Sequence, residues 1–149
     1  MQTESRQSIQ ISWNFPHPPE KLWQAWTYPA ITKLWFGSDP NGKVLDAKMD
    51  VRINGSFSVT FANSDGTEFT AQGIYKEIDE PKRLVFTWSW ANQPYVNELI
   101  SLDFAPDIRG TLMTFEQSNI DPETTLHNYE EGWRSTFQKL EKALNEVNS

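Results

Sequence analysis

Residues 121–147 read DPETTLHNYEEGWRSTFQKLEKALNEV, and this stretch decides the fold. Asp121 suits the N-cap of a helix, and Pro122 suits its first turn. Apolar side chains then recur every three or four residues, which is the spacing of one helix face. They are Leu126, Tyr129, Trp133, Phe137, Leu140 and Leu144. The pattern predicts one amphipathic helix over residues 122–147, roughly 35–40 Å long at ~1.5 Å per residue.

Between residues 44 and 117 the apolar period is two, which is typical of strands with one buried face. Residues 84–90 (LVFTWSW) alternate in this way, and Ile53 shares the parity of Phe57 and Phe61. A glycine inside one strand, Gly73, indicates a bend or bulge. The turn signals are Asn54-Gly55, Asn63 to Gly66, Glu80-Pro81, Ala91 to Pro94 and Pro106 to Gly110. Strands joined by such short turns predict an antiparallel meander.

Upstream of this region, residues 9–15 (IQISWNF) alternate as a strand does, and the prolines of residues 16–19 stop it. Leu22 to Trp26 follow at mixed helical spacing until Tyr28-Pro29 interrupts them. Residues 30–35 can form a second turn of helix. The sequence therefore predicts two short helices joined at a proline.

An antiparallel sheet that is apolar on one face must cover that face, and only the terminal helix is long enough to do so. The expected fold is α+β, a helix-grip arrangement. In it a curved antiparallel sheet of six to seven strands wraps around a long C-terminal helix, with two short helices after the first strand. A single domain over residues 1–149 is expected, with its core at about 9–145 and residues 1–8 flexible.

A sheet that curls further than the helix can fill leaves a void, and an apolar void binds small hydrophobic molecules. The chain has 7 Trp and 9 Phe side chains, which either fill the core or line such a void. Both readings stay open for each ring. The predicted lining is Trp35, Phe57, Phe69, Phe86, Trp88, Trp90, Glu98, Ile100, Met113, Phe115, Tyr129, Trp133 and Phe137.

Glu98 is an acidic residue in an apolar register, since it shares the parity of Ile100 and Leu102. A buried carboxylate without a partner is costly. Glu98 is therefore expected to reach water at the rim of the sheet, to anchor a ligand inside a pocket, or to form a structural ion pair. Gln117 shares the parity of Phe115 and is open to the same readings.

The charge balance excludes several classes of function. With 13 basic and 20 acidic side chains the net charge is −7, which argues against a nucleic-acid partner. The absence of cysteine removes disulfides and thiolate chemistry. His17 and His127 are not at metal-ligand spacing, and no nucleotide or nucleophile motif is present. We therefore expect no metal, no cofactor and no catalytic residue.

A cytoplasmic protein without a membrane span is expected, and exposed edge strands would permit two copies to pair.

Several stretches resemble the activator-of-heat-shock-protein-90-ATPase homologue domains of the START and Bet v 1-like (SRPBCC) superfamily. The resemblance covers roughly residues 9–145. Its motifs are FPHPPEKLWQAWT at 15–27, Pro29, Trp35-Phe36, DVRINGSF at 50–57, GIYKEIDEPKRLVFTW at 73–88, Gly110-Thr111 and Gly132-Trp133. The resemblance implies a helix-grip domain that bears a cavity.

Three functions follow as hypotheses. The leading one is non-catalytic binding of a small hydrophobic or aromatic molecule between the sheet and the C-terminal helix. A protein-interaction module acting as a chaperone cofactor is the second, and the acidic surface would steer it toward a basic partner. The third is a cyclase- or aromatase-type enzyme in the same cavity, with Glu98, Tyr75 and Tyr129 as candidate proton-transfer groups.

Overall fold

The computed structural model describes residues 6–147. Its elements are β1 (Gln7–Phe15), α1 (Pro19–Thr27), α2 (Pro29–Thr32), β2 (Lys43–Met49), β3 (Ser56–Ala62), β4 (Glu68–Asp79), β5 (Arg83–Trp90), β6 (Gln93–Asp107), β7 (Gly110–Ile120) and α3 (Leu126–Val147). This is the predicted order of one strand, two short helices, six strands and a terminal helix. Of residues 1–8, predicted to be flexible, residues 1–5 lie outside the described part of the chain and Gln7 begins β1.

The seven strands form one antiparallel sheet in the order β1-β7-β6-β5-β4-β3-β2. Strands β2 to β7 are the predicted meander, and β1 joins its far edge by pairing with β7. Four of the six strand pairs contain a register shift. Such irregularities bend a strand and increase its twist, so the sheet curves around α3. The helix-grip fold expected from the sequence is confirmed.

The predicted start of the terminal helix is wrong by four residues. The backbone N–H of Glu123 donates to the Asp121 carboxylate at 2.9 Å, and the N–H of Thr124 donates to the Asp121 carbonyl at 2.9 Å. Asp121 therefore closes a separate turn, and α3 begins at Leu126. With 22 residues the helix is about 33 Å long.

The apolar stripe of α3 packs on the inner face of the sheet. Phe137, Leu140 and Leu144 are at most 1 % exposed. The Phe137 ring lies with its centroid 5.3 Å from that of Phe115 on β7. The C-terminal half of the helix is therefore in close contact with the strands beneath it.

The two short helices cover one end of the sheet and are joined through the carbonyl of Ala25. This oxygen accepts hydrogen bonds from the Thr32 hydroxyl at 2.9 Å and from the Trp35 indole N–H at 3.1 Å. The second helix ends at Thr32 rather than at the predicted Trp35. After α2, the backbone N–H of Trp35 donates to the carbonyl of Thr32, three residues earlier in the chain. This spacing is that of a tight turn and not of an α-helix.

Three further boundaries differ from those predicted. Ile53 is not in a strand but in the turn before β3, where Asn54 has a φ of 67° and Ile53 is 55 % exposed. The predicted loop at residues 91–94 is shorter, because β6 already begins at Gln93. Pro106 belongs to β6 near its end, where a missing N–H is tolerated.

Gly73 stands where β4 bends. A Cβ atom on Gly73 would overlap the carbonyl oxygen of Thr87 and the ring of Phe57. The β4–β5 register shift lies just beyond it, between Tyr75 and Glu77. The glycine thus allows the close strand approach that the bend requires.

None of the helices among the described residues has the length and hydropathy of a membrane-spanning segment.

Candidate ligand-binding site

A cavity of about 430 Å³ lies between the first half of α3, strands β3 to β7 and the segment after α2. Asn92, Gln93 and Asn128 are exposed and mark its mouth. The described residues that line it are Phe36, Gly37, Ser38, Phe61, Asn63, Phe69, Trp88, Trp90, Asn92, Gln93, Gln117, Asn128, Tyr129, Gly132, Trp133 and Thr136. Its volume falls in the range of sites that hold small molecules.

Six rings form a continuous aromatic wall around this cavity. They are Phe36, Phe61, Phe69, Trp88, Trp90 and Trp133. The ring of Trp88 lies 5.3 Å from that of Trp133 and 5.5 Å from that of Trp90, both edge-on. Aromatic pairs at such distances stabilise one another and present a rigid apolar surface to a planar guest.

Gly132 borders the cavity and adds no side chain to it. A Cβ atom there would meet only the Cβ of Ser38, at 3.6 Å, an ordinary contact distance. Further along the helix, Phe137 reaches the sheet and leaves no comparable space. The cavity therefore lies beside the first half of α3, and the helix is packed on the sheet at Phe137.

The loop that borders the mouth, residues 37–39, is tied to α3. The hydroxyl of Ser135 donates to the Ser38 carbonyl at 2.7 Å. The Lys139 ammonium donates to the carbonyls of Gly37 at 3.1 Å and Asp39 at 2.9 Å. Burial lowers the pKa of Lys139 despite the nearby negative charge of Asp39.

The same loop is tied to the β3–β4 turn by the Asp39 carboxylate. This group accepts the backbone N–H of Ser64 at 2.8 Å and its hydroxyl at 2.9 Å. The hydrogen bond from the Ser64 N–H, followed by that from Asn41, lowers the pKa of Asp39. The loop is thus fixed on both sides, so this border of the cavity is formed before any ligand arrives.

A chain of four polar side chains, the polar floor, lies at the inner end of the cavity: Trp133, Gln117, Glu98 and Tyr129. The indole N–H of Trp133 donates to Gln117 Oε1 at 2.7 Å, and Gln117 Nε2 donates to Glu98 Oε1 at 2.6 Å. The Tyr129 hydroxyl donates to Glu98 Oε2 at 3.0 Å. Since an indole can only donate, Trp133 fixes which end of the Gln117 amide faces Glu98.

Glu98 does not reach water at the rim of the sheet, because it is only 3 % exposed. Within the described residues it takes part in no ion pair, and its hydrogen-bond partners are neutral. Burial raises the pKa of Glu98, while the hydrogen bonds from Tyr129 and Gln117 oppose that shift. Of the more distant charges, Arg6 lowers this pKa and Asp121 raises it.

The raised pKa of Glu98 predicts a pH-dependent contribution to stability. A carboxyl with a raised folded-state pKa contributes stability that is fully present below its unfolded pKa and is lost as pH rises through the folded value. The variant Glu98→Gln has no carboxyl group at this position, so this pH-dependent contribution is absent from it. Its amide also accepts only one of the two hydrogen bonds, which adds a constant cost of about 1–3 kcal/mol.

We therefore expect the stability advantage of the wild type over Glu98→Gln to shrink as pH rises through the raised pKa. Urea unfolding of both proteins at half-unit steps from pH 4 to 8 measures it. Glu68→Gln, at an exposed glutamate on β4, is the matched control. A difference between wild type and Glu98→Gln that stays constant with pH would contradict the account of Glu98.

The described lining residues of the cavity carry no charge. Each of its side chains belongs to an aromatic, amide, hydroxyl or glycine residue. A second depression, of about 470 Å³, lies on the other face of the sheet over Gly73, where hydroxyl and amide groups such as Ser58, Gln72 and Ser89 predominate. Among residues 6–147 no three His, Asp or Glu side chains are grouped as a metal site.

The structure separates the predicted lining residues into four groups. Five border the cavity: Phe69, Trp88, Trp90, Tyr129 and Trp133. Phe57 and Phe86 border a void of about 20 Å³ on the other side of Trp88. Glu98 lies behind Gln117 and Tyr129, and the others are packed in the core away from the cavity: Trp35, Ile100, Met113, Phe115 and Phe137. Strand parity identifies the inner face but not which part of that face the helix covers.

Several lining residues were missed by the sequence prediction. Phe61 carried a usable signal, because it shares the parity of Phe57. Phe36 follows a short helix whose path sequence patterns do not define. Asn92 lies in the turn before β6 and Gln93 begins that strand, and neither carries a signal that distinguishes a cavity mouth from any other surface turn.

Comparisons with known proteins agree with this architecture. The family model described as Activator of Hsp90 ATPase homolog 1-like protein matches residues 16–145. A crystal structure of a protein from Nitrosomonas europaea is similar at 24 % identity and a TM-score of 0.82, covering 95 % of this chain and 96 % of the other. Comparison with the curated proteins gives no match.

Two more solved structures have the same fold. The AHSA1-like protein from Aeromonas hydrophila, solved by NMR, is 19 % identical with a TM-score of 0.81, covering 95 % of this chain and 94 % of that one. A protein from Rhodobacter sphaeroides is 17 % identical with a TM-score of 0.83, covering 94 % and 93 %.

Proposed function

Because the chain belongs to the Activator of Hsp90 ATPase homolog 1-like family, a group of START/Bet v 1-like domains, we propose that it binds a small aromatic molecule in the cavity between sheet and α3. The binding is non-catalytic. One observation carries the proposal: about 430 Å³ of open space is bordered by seven aromatic rings and, within the described part of the chain, by no charged side chain.

The expected strength of binding follows from the size of a suitable probe. 2-Naphthol has about eleven non-hydrogen atoms, and ligands of this size gain between about 0.3 and 1.5 kcal/mol per atom. At about 0.5–0.75 kcal/mol per atom, the Kd is about 1–100 µM. Isothermal titration calorimetry covers that range. Absence of both binding heat and a Tm shift at millimolar 2-naphthol would overturn the proposal.

Removing one ring of the aromatic wall should weaken this binding. Trp90 is partly buried at the wall, and its ring centroid lies 6.2 Å from that of Phe61. Trp90→Ala removes a stacking surface, so we expect the Kd for 2-naphthol to rise about tenfold. Isothermal titration calorimetry of the folded variant measures this Kd.

The matched control is Trp13→Ala. Trp13 is also partly buried, but it packs on Phe137 and donates to Glu141 at 3.1 Å, away from the cavity. This change is expected to lower stability and to leave the Kd for 2-naphthol within about twofold. Equal effects of the two substitutions on the Kd would contradict the placement of the ligand.

An enzyme acting in the same cavity is a second candidate, and Tyr129 is the observation that favours it. Its phenol borders the cavity and is hydrogen-bonded to the buried Glu98, an arrangement that can move a proton at a bound ligand. Incubation with a poly-β-ketone tests this role. Cyclised product that is lost in Tyr129→Phe would support an enzyme, and absence of product with wild-type protein would overturn it.

A chaperone-cofactor role, suggested by the family description, does not require the cavity. It predicts that purified protein raises the ATPase rate of an Hsp90-type chaperone in a salt-dependent way. An unchanged rate at saturating protein would dismiss it.

A further inference from the structure

The directions of the hydrogen bonds in the polar floor determine whether it offers a ligand donors or acceptors. Its three hydrogen bonds all run toward the Glu98 carboxylate: from Trp133 to Gln117, from Gln117 to Glu98, and from Tyr129 to Glu98. In its ionised form the Glu98 carboxylate only accepts hydrogen bonds, so in that form both neighbours donate to it. The ionised carboxylate thus orients the Tyr129 hydroxyl, and the Trp133 indole orients the Gln117 amide.

Tyr129 is the member of the polar floor whose oxygen is accessible from the cavity. Gln117 is 1 % exposed and both ends of its amide are engaged, whereas Tyr129 is only partly buried and borders the cavity. A phenol has one hydrogen and two lone pairs, and the hydrogen of Tyr129 is committed to Glu98. The oxygen of Tyr129 therefore offers the cavity lone pairs alone.

The electrostatics of the cavity disfavours an anionic ligand. Among the residues that the structure describes, no Lys, Arg or His side chain borders the cavity, and the Glu98 carboxylate accepts the hydrogen bond of Tyr129. The chain as a whole carries a net charge of −7. A ligand carboxylate would meet an oxygen lone pair and a negative charge with no cation to offset them, and would lose its hydration on entry.

We propose that the cavity selects uncharged aromatic molecules that carry a hydroxyl group, which donates its hydrogen bond to Tyr129 Oη, and discriminates against aromatic carboxylates. This inference rests on the proposed function and names the ligand class for it. The hydroxyl is the group that satisfies the exposed lone pair at the lowest desolvation cost.

Three naphthalene probes with one ring system test the inference by calorimetry at pH 7.5. They are 2-naphthol, 2-methoxynaphthalene, which has no donor, and 2-naphthoate, which is an anion. We expect 2-naphthol to bind about 3–10-fold more tightly than 2-methoxynaphthalene, as one hydrogen bond allows. 2-Naphthoate is expected to bind more weakly than either.

The variant Tyr129→Phe tests the residue assigned. It removes the acceptor, so the ratio of the 2-methoxynaphthalene Kd to the 2-naphthol Kd should fall to about one within this variant. A ratio that stays at the wild-type value would overturn the role of Tyr129. The wild-type series is decisive on its own if the variant does not fold.

The outcomes distinguish this inference from the proposed function. Equal affinity of the wild type for 2-naphthol and 2-methoxynaphthalene, or tightest binding of 2-naphthoate, would overturn the donor preference and leave aromatic binding in place. Failure of all three probes to bind would overturn the proposed function and the inference with it.

Discussion

Phe137→Ala is expected to lower the free energy of unfolding by about 3–5 kcal/mol, because it removes a ring from the most closely packed part of the structure. Phe137 is 0 % exposed, and its ring lies 5.3 Å from that of Phe115 and 5.7 Å from that of Trp133. Domains of this size are stable by about 5–15 kcal/mol in total, so the loss is a large fraction. Urea unfolding followed by circular dichroism measures it.

Phe69→Ala is the matched control for this prediction. Phe69 lies at the mouth side of the aromatic wall and is 36 % exposed, so truncating it leaves a gap that solvent fills. We expect it to cost less than half as much as Phe137→Ala. Equal costs at the two positions would show that α3 does not pack on the sheet as described.

Gly132→Leu is expected to abolish aromatic binding without unfolding the protein. A Cβ atom at Gly132 has room, and because Gly132 borders the cavity we expect the rest of a leucine side chain to take up ligand space. The 2-naphthol Kd should rise by at least about 100-fold, since the guest loses most of its apolar contacts. Stability should stay equal or rise, because a glycine inside a helix costs about 0.5–1 kcal/mol relative to alanine.

Gly132→Ala separates the loss of space from the change in helix propensity. Its single methyl group meets Ser38 Cβ at 3.6 Å and leaves most of the cavity open. This variant should be about 1 kcal/mol more stable than wild type and bind 2-naphthol within about threefold. If Gly132→Leu, correctly folded, bound 2-naphthol as tightly as Gly132→Ala, the ligand would have to lie elsewhere.

The overall fold could be predicted because local periodicity and global architecture agree. The alternation of residues 84–90 predicts a sheet with one apolar face, and the apolar stripe from Leu126 to Leu144 predicts a helix that covers that face. The start of α3 could not be predicted from Asp121, because an aspartate forms a helix cap or a separate turn with the same hydrogen bonds.

The site was harder to predict than the fold. Periodicity showed that Trp88 and Phe115 face inward, and both are buried. Only Trp88 borders the cavity, because α3 fills the space above Phe115 with Trp133 and Phe137. That difference depends on the distance between helix and sheet at each turn, which no local pattern encodes.

Glu98 shows both the value and the limit of sequence reasoning. Its place in an apolar register singled it out as an unusual carboxylate, and it is indeed buried. Its partners, Gln117 on β7 and Tyr129 on α3, are 19 and 31 residues away. Such a contact follows from the register of β6 against β7 and from the rotation of α3, so the sequence could not predict that Glu98 lies behind the cavity.

A crystal of the protein soaked with 6-bromo-2-naphthol and measured at the bromine absorption edge tests the central claim most directly. The account predicts one anomalous peak among Trp88, Trp90 and Trp133, with the hydroxyl within hydrogen-bond distance of Tyr129 Oη. Bromine bound only outside that space, for example in the depression over Gly73, or no bromine at all at a saturating soak, would contradict it.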